Sequence, residues 1–129
     1  MKLILHNVAS RALKKAEGNL RENRLFPAFF GTAAAIRAYQ QLHLAGEVED
    51  ASDFMYKVLD QIASNEAANL LTIGEEVTSE NIDDLINKHC GNYSKIKEQA
   101  SKENSHPVYG EALNYLKQKI LGHYSIEEG

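Results

Sequence analysis

An arginine and a histidine six positions apart are the residues of this chain best suited to catalysis. They are Arg37 and His43, in the stretch IRAYQQLH over residues 36–43. A guanidinium can stabilise charge on a phosphate while an imidazole moves a proton, so the pair could cleave RNA without a metal ion. On a continuous helix, however, the two side chains would point about 120° apart and lie ~9 Å apart along the axis. They would share one substrate only if the helix distorts or a second subunit contributes.

The spacing of Arg37 and His43 resembles the Arg-x(4–6)-His motif of the HEPN superfamily, small all-helical proteins of which many are dimeric, metal-independent ribonucleases. It departs from the family's pattern at Ala38, where a polar residue often follows the motif arginine, and in the early position of the motif. The resemblance implies a ribonuclease, or an inactive relative of one, that uses these two residues. The alternative places Arg37 at the surface of a helical bundle and His43 near a helix C-terminus, where a charged imidazole is favoured.

Residues typical of metal or redox sites occur here without the partners that such sites need. Glu103 and His106 have the E-x-x-H spacing of helical di-iron proteins, but only one copy is present and it runs into Pro107. His89 and Cys90 are adjacent, so on a helix they point roughly 100° apart, and we interpret Cys90 as a small apolar residue. Nucleophile-elbow, phosphate-loop and dinucleotide motifs are missing. We therefore predict no cofactor, no metal site and no catalytic centre.

Four basic residues share one side of the first predicted helix and could contact nucleic acid. They are Arg11, Lys14, Lys15 and Arg21. The net charge of −4 and the pI near 5.7 mean that the molecule as a whole does not attract phosphate backbones. A run of charge on a helix is usually its solvated side. We expect that outcome, and a nucleic-acid-associated factor is the third-ranked function.

The composition is that of an ordinary globular domain. With 129 residues, 25% charged and 43% apolar, the chain is long enough for one hydrophobic core. The single cysteine cannot form an intrachain disulfide, which favours a reducing compartment. The apolar run Leu3–Leu5 is too short for a signal peptide, and no segment approaches the ~18 apolar residues of a membrane span. We therefore expect a cytoplasmic protein that does not bind membranes.

Apolar periodicity predicts an all-α fold, a single-domain bundle of five to six helices with a mostly buried second helix. The first helix covers about residues 3–20, and its core side includes Val8. The second, about 28–45, is apolar nearly all round, so it must be covered on most sides, and Gly46 is expected to end it.

The remaining helices are predicted with weaker patterns. The third begins near Phe54, after an acidic link, and then either breaks near Ser64–Asn65 or carries a polar group that lines something. Shorter helices follow over about 79–89 and from Tyr93, and the last begins at Pro107. The helical domain is expected to span residues 1–124, with a flexible C-terminal tail over 125–129.

Aromatic residues exceed what one small core must bury, which predicts a protein-binding surface. The Phe26–Phe30 end of the second helix adjoins a loop, where cover from the chain is thinnest. We expect a homodimer, or a complex with another protein, that buries Phe29 or Phe30. The leading interpretation is a regulator, adaptor or inhibitor. Its candidate partner-binding residues are Phe26, Phe29, Phe30, Tyr39, Tyr56 and Tyr109.

Overall fold

The computed structural model describes residues 2–125, with side chains from Leu3 onward. All regular secondary structure in this range is helical, which confirms the predicted all-α class and the predicted number of helices. The predicted tail lies outside the described residues after its first position, Ser125. None of the helices in this range has both the length and the apolar composition of a membrane span. The helices are α1 (Lys2–Arg21), α2 (Leu25–Gln41), α3 (Ala45–Leu71), α4 (Ile82–His89), α5 (Gly91–Ala100) and α6 (Pro107–His123).

The turn between α1 and α2 ends one helix and begins the next within a few residues. Asn23 has a φ of 59°, a left-handed conformation that asparagine tolerates better than most residues. The Arg24 amide donates to the Asn19 carbonyl at 2.8 Å, which satisfies an end-of-helix acceptor. Pro27 falls in the first turn of α2, where its missing N–H has no partner to lose.

The second helix is mostly buried, as predicted, but it ends earlier than expected. It stops at Gln41, and Gly46 lies inside α3 rather than at the end of α2. His43 takes the left-handed position, with a φ of 57°. Its amide donates to the Gln40 carbonyl at 3.0 Å, and the next amide, of Leu44, donates to Tyr39 at 3.1 Å. This pair of bonds is the Schellman motif, which usually has glycine where this chain has histidine.

The third helix runs unbroken from Ala45 to Leu71, so the expected break near Ser64–Asn65 is wrong and the predicted acidic link is helical. Two polar contacts explain why the apolar stripe can stop while the helix continues. The Gln61 side chain donates to the Asn65 side chain at 3.0 Å, one turn apart. Glu66 is buried and accepts a hydrogen bond from the Asn92 amide.

The chain divides within α3 into two compact units, Met1–Val58 and Leu59–Gly129. In the first unit, α1 and α2 pack against each other, and Ala9, Ala16, Phe29 and Ile36 are among the buried residues of this unit. In the second unit, the core is aliphatic and draws on the end of α3 and on α4, α5 and α6. Its fully buried members include Ile62, Leu70, Ile86, Ile96, Leu116 and Ile120.

Candidate functional site

The helices α1 and α2 approach each other closely because glycine and alanine line their contact. A Cβ added at Gly31 would lie 3.0 Å from the Ala12 carbonyl oxygen and 3.1 Å from the Ala16 Cβ. Towards the other end, the Tyr39 hydroxyl and Ser10 Oγ are hydrogen-bonded at 3.2 Å, and the Tyr39 ring meets the His6 ring edge-on. These contacts pair the end of α1 with the start of α2, so the two helices form an antiparallel hairpin.

A groove of about 370 Å³ lies beside this close contact, on one face of the α1–α2 hairpin. Its α2 wall is aromatic: the rings of Phe26 and Phe30 lie 6.0 Å apart, and Phe30 is 43% exposed. The two helices supply mainly small or apolar residues to it, and Lys15 is the one charged residue among the described lining residues. The full lining is Ala12, Lys15, Ala16, Asn19, Phe26, Pro27, Phe30, Gly31 and Ala34.

Two further apolar side chains extend this surface along α1. Ile4 and Val8 precede Ala12 at intervals of four residues, so they share its side of the helix. Ile4 is 65% exposed and Val8 is 53% exposed. The expectation that Val8 faces the core is therefore wrong. We call the groove together with Ile4 and Val8 the hairpin face.

Only part of the predicted aromatic surface is accessible. Phe29, Tyr39 and Tyr109 are buried within the chain, so a partner cannot reach them as the chain is folded here. Phe26 and Tyr56 are half-buried, and Phe30 is exposed. Ile4 and Val8 were missed as surface residues. Their four-residue spacing was the available signal, because it widens the apolar sector of α1 beyond what a single neighbouring helix covers.

The structure places Arg37 and His43 differently from the continuous-helix expectation. Arg37 lies on α2 and His43 lies beyond its end, in the Schellman turn, so the 120° separation does not apply. Both side chains are exposed. His43 borders a shallow depression that Arg37 does not line among the described residues. The depression is lined by Gln40, His43, Leu44, Ala45, Val48 and Glu49.

The four basic residues of α1, which are Arg11, Lys14, Lys15 and Arg21, are all exposed. The four residues differ in how they lie relative to the groove. Lys15 lines the groove, and Arg11 is one turn before it on the same side of the helix. Arg37 is exposed on α2, seven residues after Phe30, and therefore on the same side of its helix as that ring. The hairpin face is thus apolar with basic residues along it.

A buried polar cluster in the second unit has a structural explanation. A Glu66 carboxylate oxygen accepts from the Asn92 amide at 3.0 Å, in the first turn of α5, where amides have no partner within the helix. The fully buried Cys90 thiol donates to the same carboxylate. Burial, and then the charge of Glu66, raise the pKa of Cys90 to about 12. A thiol held protonated in this way is a poor nucleophile.

The isolated E-x-x-H motif is also accounted for by local structure. His106 caps α6: its Nδ1 accepts from the Val108 amide at 3.1 Å. A nitrogen occupied in this way is not directed at a metal ion, and Glu103 is exposed in the preceding turn. Among residues 2–125 no three or more histidine, cysteine or acidic side chains are grouped as metal ligands would be.

Comparison of the chain with protein-family models, with curated proteins and with solved structures finds no match. The resemblance to HEPN ribonucleases therefore rests on the spacing of Arg37 and His43 together with the chain length and the helical fold, and it stays a prediction.

Proposed function

We propose that this protein acts by binding another protein through the hairpin face. The observation that carries the proposal is the exposure of Phe30 beside an apolar groove, continued by Ile4 and Val8. Single exposed apolar residues are normal on soluble proteins, but contiguous apolar patches usually mark interaction sites. An aromatic side chain next to a groove is also the kind of residue that carries much of the binding energy at interfaces.

The distribution of exposed apolar residues supports this choice of surface. The large apolar side chains that are well exposed in the described range are Leu3, Ile4, Val8, Phe30 and Leu71. Four of these five belong to α1 or α2, so exposure is concentrated in one hairpin rather than scattered over the chain. On this proposal the protein is a regulator, adaptor or inhibitor that acts by occupying a partner's surface, and no chemical step is required of it.

A photocrosslinking experiment tests the proposal. A benzophenone amino acid replaces Phe30 in one variant and the exposed Glu111 of α6 in a matched control, in cells that make the protein. We expect a discrete crosslinked partner from position 30 and none from position 111. The partner is then purified and titrated with the wild-type chain and with Phe30→Asp, and we expect the latter to bind at least about tenfold more weakly. Equal crosslinking from both positions, or unchanged affinity of Phe30→Asp, would contradict the proposal.

A nucleic-acid-associated function, ranked third from the sequence, is an alternative that the exposure of Arg11, Lys14, Lys15 and Arg21 on one helix leaves open to test. Binding of labelled single-stranded and duplex RNA and DNA, followed by fluorescence anisotropy across a salt series, tests it. Phosphate binding through these residues would fall steeply with salt and would be lost in a variant with all four changed to glutamine. We expect no tight binding at physiological salt, since these side chains are more simply the solvated side of α1.

A further inference from the structure

The α1–α2 hairpin differs in charge from the rest of the chain. Residues 2–41 hold seven basic and two acidic residues, although the whole chain has a net charge of −4. Neither acidic residue lies along the hairpin face. Glu17 follows Lys15 by two positions, about 200° round α1, and Glu22 pairs with Arg24 at 3.1 Å in the turn after α1. The charged side chains along the face, which are Arg11, Lys15 and Arg37, are all positive.

We propose that the hairpin face binds an amphipathic helix whose apolar stripe is flanked by carboxylates. This inference rests on the proposed function and names the chemistry of the partner. A helix lying along the groove would place one large apolar side chain beside Phe30, with the next ones along its stripe over Val8 and Ile4. Glutamate or aspartate beside that stripe would then face Arg11 and Lys15, whose charges have no acidic residue near them on this side of α1.

The charge pattern distinguishes this occupant from others. A second copy docked symmetrically by the same face would bring a second set of positive charges and no carboxylate to the interface, and like charges across an interface are costly. A lipid surface is flat, whereas the groove is a concavity whose floor includes Gly31, where the two helices come closest. Nucleic acid would use the basic residues but would leave Ile4 and Val8 without a complementary surface.

Two synthetic helical peptides serve as probes. Each has about five turns, or ~18 residues. In both peptides, leucines are spaced alternately three and four residues apart. Glutamates flank the leucines in the first peptide, and lysines occupy the same positions in the second. Each labelled peptide is titrated with the full chain, and fluorescence anisotropy is read at low and at physiological salt.

We expect the acidic peptide to bind about tenfold more tightly than the basic one at low salt. Two exposed ion pairs, with Arg11 and Lys15, would together supply a preference of about this size. Added salt should reduce the preference, since exposed ion pairs are screened. The double variant Arg11→Glu with Lys15→Glu should reverse it, while Lys102→Glu, an exposed charge reversal in the second unit, should leave it unchanged. Phe30→Asp should weaken both peptides.

The outcomes separate this inference from the proposed function. If the two peptides bind equally and both depend on Phe30, the apolar docking surface stands and the preference for carboxylates is wrong. If the acidic peptide does not bind a folded wild-type chain, the inference is wrong, and the crosslink at position 30 decides the proposed function separately. Tighter, Phe30-dependent binding to phosphatidylserine vesicles, or to a single-stranded oligonucleotide, than to the acidic peptide would also overturn it.

Discussion

Gly31 and Ala16 meet where α1 and α2 come closest, with only 3.1 Å between the Ala16 Cβ and the position a Gly31 Cβ would take. The backbone carbonyl of Ala12 lies on the same side at 3.0 Å and belongs to a regular helix, so it cannot turn away as a flexible side chain would. The separation of the two helices, and with it the floor of the groove, is therefore set by the absence of a side chain at position 31.

A larger residue at this contact should push the helices apart. We expect Gly31→Val to lower the free energy of unfolding by about 1–3 kcal/mol, the usual cost of overpacking. Urea denaturation measures it. Gly110→Ala is the matched control in α6, where an added Cβ meets nothing within 4 Å. It should stabilise the protein by about 0.5–1 kcal/mol through helix propensity. A Gly31→Val protein as stable as the wild type would show that the contact is looser than described.

Glu66 should contribute to the free energy of unfolding mainly by accepting hydrogen bonds, and less through its charge. Glu66→Ala leaves the Asn92 amide and the Cys90 thiol without their acceptor, and we expect a loss of about 1–3 kcal/mol in unfolding free energy. Glu66→Gln keeps an oxygen in place and should cost less. Glu98→Ala, at an exposed position on α5, should change stability by no more than about 0.5 kcal/mol. Equal effects of the alanine and glutamine variants would argue against the hydrogen bond.

The thiol of Cys90 should make stability depend on pH only in alkaline solution. Its pKa is about 12 in the folded chain and 9.0 as the reference for an unfolded one. The folded state therefore retains the proton that the unfolded state loses, and stability falls as the pH rises from about 9 towards 12. Other groups titrate in this range, so the wild type is compared with Cys90→Ala in chemical denaturation at each pH. If the unfolding free energies of the two proteins change with pH in parallel, the raised pKa of Cys90 is contradicted.

The ribonuclease hypothesis is tested directly by replacing His43. Glycine is a better replacement than alanine, because the backbone at this position is left-handed. Glycine adopts the φ of 57° without strain, so His43→Gly removes the imidazole and should keep or slightly raise stability. Because the depression beside His43 does not include Arg37, we expect no cleavage of unstructured RNA in EDTA that depends on both residues. Cleavage by the wild type that is lost in folded His43→Gly and Arg37→Gln proteins would establish the pair as a nuclease site.

Self-association is measured by light scattering across a dilution series. The sequence predicts a homodimer or a partner complex, and the structure leaves Phe30, rather than Phe29, available for either. Since a symmetric dimer through the hairpin face would bring a second set of positive charges and no carboxylate to the interface, we expect a monomer at physiological salt. A dimer that Phe30→Asp dissociates, while Tyr56→Asp does not, would instead favour pairing of two copies through this face.

Most of the fold could be predicted because apolar periodicity reports burial within a helix. The position of α1 and the burial of α2 follow from it directly. The choice between Phe29 and Phe30 does not, because α2 is apolar nearly all round and adjacent residues differ by about 100°. Which of the two rings is covered depends on how the other helices pack around α2, and the sequence of α2 alone does not show that packing.

The sequence-based predictions were wrong about the end of α2 and the continuity of α3. Both depend on hydrogen bonds that cannot be recognised from the neighbouring sequence. The end of α2 was assigned to Gly46, whereas the chain uses His43 in a left-handed turn stabilised by two backbone hydrogen bonds. The helix α3 was expected to break because Glu66 falls where a core residue should be. Its partner, the Asn92 amide, is 26 positions away, so no window of sequence around Glu66 could show that the carboxylate is satisfied.

The long-range bond of Glu66 bears on the order in which the second unit assembles. With ten residues and no capping hydrogen bond from a side chain at its N-cap position, α5 is too short to be stable alone in water. The acceptor for its first turn is carried by α3, which leaves the ribosome earlier. We therefore expect α5 to form late in folding, on a template already present in α3. A peptide covering only residues 91–100 should remain a coil.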